Sequence, residues 1–217
     1  MKDIECLFRD KVLSGKFPCI GAKASITKGK YQFVLLDQMA TEKSTVLLYQ
    51  SLKAFAGMRT TIDKRFASFI ACFTKKGFLT AEKFEILLWN QLKMLHDIDE
   101  SDWDREVSSD INNPGFSYSI AGQAYFVIGM CPDHPRECRK FPYPILIFNS
   151  HHQFKYLKKI DLFYKIQKAV RLKEMEYNGS INPNLINVGE HSEALQYSGL
   201  KAEAGWKCPV HFDKKGS

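Results

Sequence analysis

Three apolar segments follow one another between residues 116 and 148, and their order restricts the folds open to this chain. Phe116–Ile120 and Gln123–Met130 read as strands joined by a tight Ala121-Gly122 turn, which makes them an antiparallel hairpin. Pro144-Ile-Leu-Ile-Phe148 reads as a further buried strand. Helical patterns lie before and after this group. Strands that neighbour one another in sequence, with helices on either side, predict an α+β fold: a mainly antiparallel sheet flanked by helices. The expectation is a single domain over residues 1–217, with 213–217 as a disordered tail.

Ahead of the hairpin, residues 2–14 pattern as a short amphipathic helix, Pro18–Ala22 as a loop, Tyr31–Asp37 as a strand and 42–57 as a helix. Phe66–Phe73 is a second apolar strand. The helix over 81–97 has the clearest pattern. Thr80 suits its N-cap and Glu82 its positive end, while Phe84, Leu87, Leu88, Leu92 and Leu95 recur at helical spacing as a buried stripe. Trp103-Asp104 and Asn113-Pro114-Gly115 belong to a polar connection, and Cys131–Lys140 to a charged loop. Helices follow at 151–159 and 162–177, and Gly179 closes the second. The segment from Asn182 to Phe212 lacks periodicity but is rich in aromatic and polar residues, as in segments that are functional or wrapped onto the body of a protein.

The length, with 45% hydrophobic and 25% charged residues, suffices for one sizeable core. The formal charge is +7, and cations gather on one stretch: Lys155, Lys158, Lys159, Lys165, Lys168, Arg171 and Lys173. That stretch reads as a solvated helix face or a site for an anionic ligand; no recognisable module supports nucleic-acid binding. The start carries charge without a long apolar core, so it does not read as a secretory signal, and no stretch approaches the length of a membrane span. Six dispersed cysteines then read as reduced thiols in a cytoplasmic protein. Glycine-rich dinucleotide loops, phosphate loops and Gly-x-Ser-x-Gly elbows are missing, which argues against nucleotide-dependent and serine-hydrolase chemistry.

The strand at 144–148 opens into Asn149-Ser-His-His-Gln-Phe154. Two adjacent imidazoles there are candidates for metal ligation or general base work; the alternative is a polar strand terminus with a histidine starting the next helix. His96 sits at a helix end beside Asp97 and Asp99, where a carboxylate could orient its ring or the ring could simply complement the dipole. Cys131-Pro-Asp-His134 and Cys208-Pro-Val-His211 together hold the ligand types of a Cys2His2 zinc site. Arg136 and Arg139 could clamp carboxylates. Cys19 is either a reactive thiolate or an inert buried thiol.

Several of these segments, in this order, resemble the YqcI/YcgG family. They are Phe17-Pro-Cys-Ile-Gly-Ala22, Leu95-His96-x-x-Asp99, Trp103-Asp104 with Val107-Ser108, and Tyr125-Phe-Val-Ile-Gly129. Arg136 with Arg139-Lys-Phe141 and Phe148-Asn149-x-His151-x-Gln153-Phe154 come next. Gly179-Ser-x-Asn-Pro183, Gly189-Glu-x-Ser-Glu193, and Gln196-Tyr197-Ser198-Gly199 with Cys208-Pro209 complete the set. Characterised members of that family look like haem-dependent N-hydroxylases of guanidine groups, one type forming N-hydroxyarginine and another acting in guanitoxin biosynthesis.

The resemblance implies an oxidoreductase, a monooxygenase that binds haem b, takes electrons from an external donor and uses dioxygen to hydroxylate a nitrogen of a small cationic compound. It puts His151, ahead of His96, as the axial iron ligand. Arg136 and Arg139 would hold the haem propionates. Glu190, Glu193 and Asp104 would grip the cationic substrate, since a guanidinium pairs well with a carboxylate. Family members commonly have His where this chain has Cys131, so a thiolate there would alter the iron chemistry. A homodimer is expected, with no nucleic acid or membrane among the partners. The alternatives are a non-catalytic haem-binding or haem-sensing protein and a zinc-stabilised binding module.

Overall fold

The computed structural model describes residues 3–58, 66–75, 77, 79–182, 184, 191–203 and 205–212. The expected tail at 213–217 and the candidate Glu190 lie outside the described residues. Among them are helices α1 (Ile4–Leu13), α2 (Ile20–Thr27), α3 (Glu42–Gly57), α4 (Ala81–Ile98), α5 (His151–Lys159) and α6 (Phe163–Asn178). The strands are β1 (Tyr31–Leu36), β2 (Ser68–Phe73), β3 (Tyr118–Ile120), β4 (Gln123–Met130) and β5 (Ile145–Ser150).

The strands form one sheet in the order β1-β2-β5-β4-β3. Only β1 and β2 run parallel, with α3 as the crossover between them; the other pairings are antiparallel. The α+β fold with a mainly antiparallel sheet is therefore the one adopted, in a single domain.

Both faces of the sheet are covered, which explains why β2 has no polar alternation: all six of its residues are buried. Phe69, Ala71 and Phe73 point to one face with Leu146 and Phe148 of β5, beneath α3 and α4. Ile70 and Cys72 point to the other with Ile145, beneath Phe8 and Val12 of α1, Ile26 of α2 and Phe141. On α4 the predicted stripe is the buried face, with Phe84, Leu88, Leu92 and Leu95 fully enclosed. Each such side chain contributes roughly 1.5–3 kcal/mol on leaving water. Gly129 of β4 lets α4 come this close, because a Cβ there would lie 2.6 Å from Phe84 Cε1.

The hairpin turn has both central residues at positive φ, 52° at Ala121 and 69° at Gly122, the type I′ geometry that matches strand twist. Ala121 is held in that conformation by its N–H, which donates to Asp99 Oδ2 at 2.8 Å. Three details differ from the sequence reading. The first strand of the hairpin pairs with β4 only over Tyr118–Ile120, because Phe116 instead bridges back to Ser108. Pro18–Ala22 is not wholly a loop: α2 begins at Ile20, and Cys19 caps it by accepting the Ala22 N–H on Sγ at 3.4 Å. With Gly21 inside it and no apolar stripe, α2 has no periodic signal. Finally, β5 continues through Asn149 and Ser150 and passes into α5 with no loop.

The described part of the aperiodic C-terminal segment packs onto the sheet face that carries α4. Ala194, Tyr197, Cys208, Val210 and Phe212 are buried in that core. Tyr197 stacks on Trp89, with centroids 5.5 Å apart and planes 22° from parallel. No helix among the described residues is long and apolar enough to cross a membrane. All six cysteines are free thiols.

Candidate functional site

The direct passage from β5 into α5 makes His151 and His152 the first two residues of a helix that leaves the middle of the sheet. The C-terminal segment brings Glu193 to this point. Its Oε2 lies 3.0 Å from His151 Nε2, with both side chains mostly enclosed. Its Oε1 accepts the Tyr197 hydroxyl at 2.6 Å and lies 2.8 Å from Ser117 Oγ. Tyr197 is in turn held by the Tyr118 N–H, which donates to its oxygen at 3.0 Å. Burial, reinforced by Glu193, pushes the Tyr197 phenol well above its ordinary range, so it remains a proton donor. A carboxylate on one ring nitrogen fixes the imidazole's orientation and tautomer and leaves the other nitrogen for a ligand.

Aromatic rings stand beside this imidazole. Phe154 packs edge-on to His151 at 5.8 Å, and Phe126 and Phe163 lie 6.1 and 6.2 Å from Phe154. All four side chains are half-buried. Lys158 Nζ sits 5.1 Å from the centroid of Phe163. A carboxylate-backed imidazole beside apolar rings, with a cation nearby, offers the ligand chemistry that a haem iron takes from its protein. The donor set, His151 with Glu193 on one ring nitrogen, fits the group's chemistry.

His152 faces a different set. Its ring and the carboxylates of Asp104 and Glu106 offer ligand atoms within 4.8 Å of one another, the one such group of three among the described residues. Lys155 already pairs with Glu106. Cys131, His134, Cys208 and His211 are not brought together as a zinc site. His134 accepts the Arg136 N–H on Nδ1 at 3.0 Å and gives its Nε2 proton to Ser198 O at 3.1 Å. Burial and the cation of Arg139 lower its pKa to about 4, so it is neutral. Burial also pushes the thiols of Cys131 and Cys208 up to about 12, so each is protonated at neutral pH.

His96 lies in the last turn of α4. It is 8% exposed, with the rings of Trp103 and Phe212 edge-on at 5.8 and 5.4 Å. It borders a cavity of about 280 Å³ whose lining includes Asp99, Trp103, Asp104 and Ser119. Asp104 accepts the Ala124 N–H on Oδ2 at 2.9 Å and the Glu106 N–H on Oδ1 at 3.0 Å. Asp99 likewise accepts the N–H groups of Ser101 and Ala121 and the Tyr49 hydroxyl. Backbone donors thus fix both carboxylates at the cavity wall. The buried indole N–H of Trp103 has no partner among the described residues.

The two arginines are not at His151. Arg136 donates through Nη2 to Glu174 at 2.8 Å and to Ser180 O at 2.7 Å. Arg139 donates to Gly129 O at 2.9 Å, Tyr197 O at 3.2 Å and Gln196 O at 3.1 Å. Both guanidinium groups therefore stitch the C-terminal half of the chain together. Of the residues singled out in the sequence, the fold unites His151 with Glu193, and His96 with Asp104 at one cavity. Sequence reasoning missed Ser117, Tyr197 and the Phe126–Phe154–Phe163 wall. The local signals that pointed to any of them are the four-residue step from Glu193 to Tyr197 and the three-residue step from His151 to Phe154.

The chain thus combines a mainly antiparallel sheet, a C-terminal strap packed on one face and a histidine–carboxylate pair where the central strand enters a helix. The profile of the YqcI/YcgG family matches residues 8–211, and the chain belongs to that family. It is similar to the "Uncharacterized protein YcgG" of Bacillus subtilis (strain 168), with 23% identity over 208 residues, 91% of this chain and 82% of that one. No solved structure matches.

Proposed function

We propose that the protein is a cytoplasmic haem-dependent monooxygenase that N-hydroxylates a small guanidine or amine compound with dioxygen, and that His151 is the residue that holds the haem iron. The His151–Glu193 pair carries this reading. A histidine that ligates a metal almost always gives its other ring N–H to a carboxylate or carbonyl, and loss of that partner weakens metal binding. Bound haem would supply the activation of dioxygen.

The chain's own residues then have distinct tasks. Glu193 accepts the His151 N–H and holds the ring in one orientation. Tyr197, kept protonated by burial, donates to the far oxygen of Glu193 and keeps that carboxylate an acceptor. Phe126, Phe154 and Phe163 give the surroundings of the imidazole an apolar character. Asp104 and Asp99, held by backbone donors, give the neighbouring cavity the negative charge that a guanidinium or ammonium group requires.

Haem titration of the purified chain, followed by absorption spectroscopy, tests the proposal. The wild type is expected to take up one equivalent with the spectrum of a histidine-ligated haem. His151→Ala should lose that spectrum, and His96→Ala should keep it. A chain that takes up no haem refutes the reading.

A further inference from the structure

One exposed face of α6, with the last residue of α5, carries side chains that neither the core nor the proposed site uses. Among the sixteen residues of α6, only Glu174 is buried. Tyr164, Lys165, Lys168, Leu172, Met175 and Glu176 are all exposed and fall within about 120° of the helix circumference. On that face Tyr164 is 64% exposed and Leu172 60%. Ile160, also exposed, follows Lys159 at the end of α5. Among the described residues, Lys159, Lys165 and Lys168 make no ion pair, unlike Lys155, which is tied to Glu106.

We infer that this face is the docking surface for an acidic electron-carrier protein. The inference rests on the monooxygenase reading, which requires such a donor. Each oxygen atom inserted consumes one dioxygen, two electrons and two protons, and releases one water. A one-electron carrier meets that need in two visits and leaves each time oxidised by one electron. The site is near the face: α5 starts at His151 and reaches Lys159 after nine residues, about 13 Å of helix.

The occupant follows from charge and pattern. A second copy of the chain would set unpaired lysines against unpaired lysines in a protein of formal charge +7, which is repulsive. A bilayer surface favours a helix whose basic and apolar faces are separate. Here Lys165 and Lys168 lie among Tyr164, Leu172 and Met175. Apolar contacts interleaved with cations suit a small protein interface whose acidic partner is steered by charge. Transient electron-transfer complexes bury little area and rely on that steering.

The test is direct binding of a plant-type [2Fe–2S] ferredoxin, an acidic carrier, to the full chain, measured by calorimetry without and with haem. Saturable binding at low salt that weakens about tenfold or more at high salt is expected. Lys159→Glu/Lys165→Glu/Lys168→Glu should cost about tenfold or more in affinity. Leu172→Ala/Met175→Ala should weaken binding without changing its salt dependence. In haem-loaded protein the lysine variant should slow oxidation of reduced ferredoxin while leaving turnover with a chemical reductant unchanged. Absent ferredoxin binding, or equal binding by the lysine variant, overturns the inference. So does adsorption to phosphatidylglycerol vesicles in place of ferredoxin, or a dimer that Leu172→Glu dissociates. Haem uptake without ferredoxin binding removes this surface and leaves the functional reading in place. Ferredoxin binding by a chain that takes up no haem removes that reading, and the carrier's role with it.

Discussion

Glu193 bridges His151 and Tyr197: one carboxylate oxygen lies 3.0 Å from His151 Nε2 and the other 2.6 Å from the Tyr197 hydroxyl. The three residues come from the start of α5 and from a segment some forty positions further along, so their contact couples the C-terminal strap to the end of the central strand. Replacing Glu193 with Gln keeps the shape but removes the charge. Haem affinity is expected to fall about 10- to 100-fold, as when the carboxylate partner of a metal-ligating histidine is lost. Titration of the variant beside the wild type measures it; an unchanged affinity would mean that His151 is not the ligand.

Arg136 and Glu174 form a buried pair, with side chains 10% and 8% exposed and 2.8 Å between them. Arg136→Met leaves the Glu174 carboxylate without its cation and should destabilise the fold by about 3–5 kcal/mol. The double variant Arg136→Met/Glu174→Leu should recover most of that loss, because an apolar pair replaces the ions. Denaturant unfolding of the single and double variants closes the cycle.

His134 makes stability depend on pH. Its folded pKa is lowered to about 4, chiefly by burial. The unfolded chain takes up a proton near the ordinary value of about 6.5. Between those values the unfolded state binds more protons than the folded one. The stabilisation is thus complete above about 6.5 and is lost as pH falls towards 4, by up to roughly 3 kcal/mol. Urea midpoints across this range should drop for the wild type, and His134→Gln should flatten the slope.

Gly129 is a packing requirement. Its added Cβ would meet Phe84 Cε1 at 2.6 Å and Leu88 Cδ1 at 2.8 Å, and both partners are fully buried. Gly129→Ala should therefore cost about 1–3 kcal/mol through overpacking. Trimming the obstruction in Gly129→Ala/Leu88→Ala should cost less than the two single changes summed, which thermal unfolding can measure.

Local pattern alone determined most of the elements. The stripe from Phe84 to Leu95 specified α4 because a helix repeats its buried face every three or four residues. Ala121-Gly122 specified the hairpin because two residues can join strands only in a turn with positive φ. The continuous apolar run of β2 announced a strand covered on both sides. The resemblance also singled out His151 and Glu193, each in its own segment. Their contact was beyond the sequence, since neither segment carries a signal for the other.

Only the tertiary structure decided where charged side chains find their partners. Arg136 and Arg139 looked like anion clamps as a sequence. The fold turns them inward, where the carbonyls of Ser180, Gln196 and Tyr197 and the buried carboxylate of Glu174 accept their N–H groups. His134 looked like half of a zinc site and is instead a neutral link between the Arg136 N–H and Ser198 O. Periodicity is a property of neighbouring residues, so it survives in the sequence. Hydrogen-bond pairing across forty or more residues depends on the sheet order that folding itself establishes.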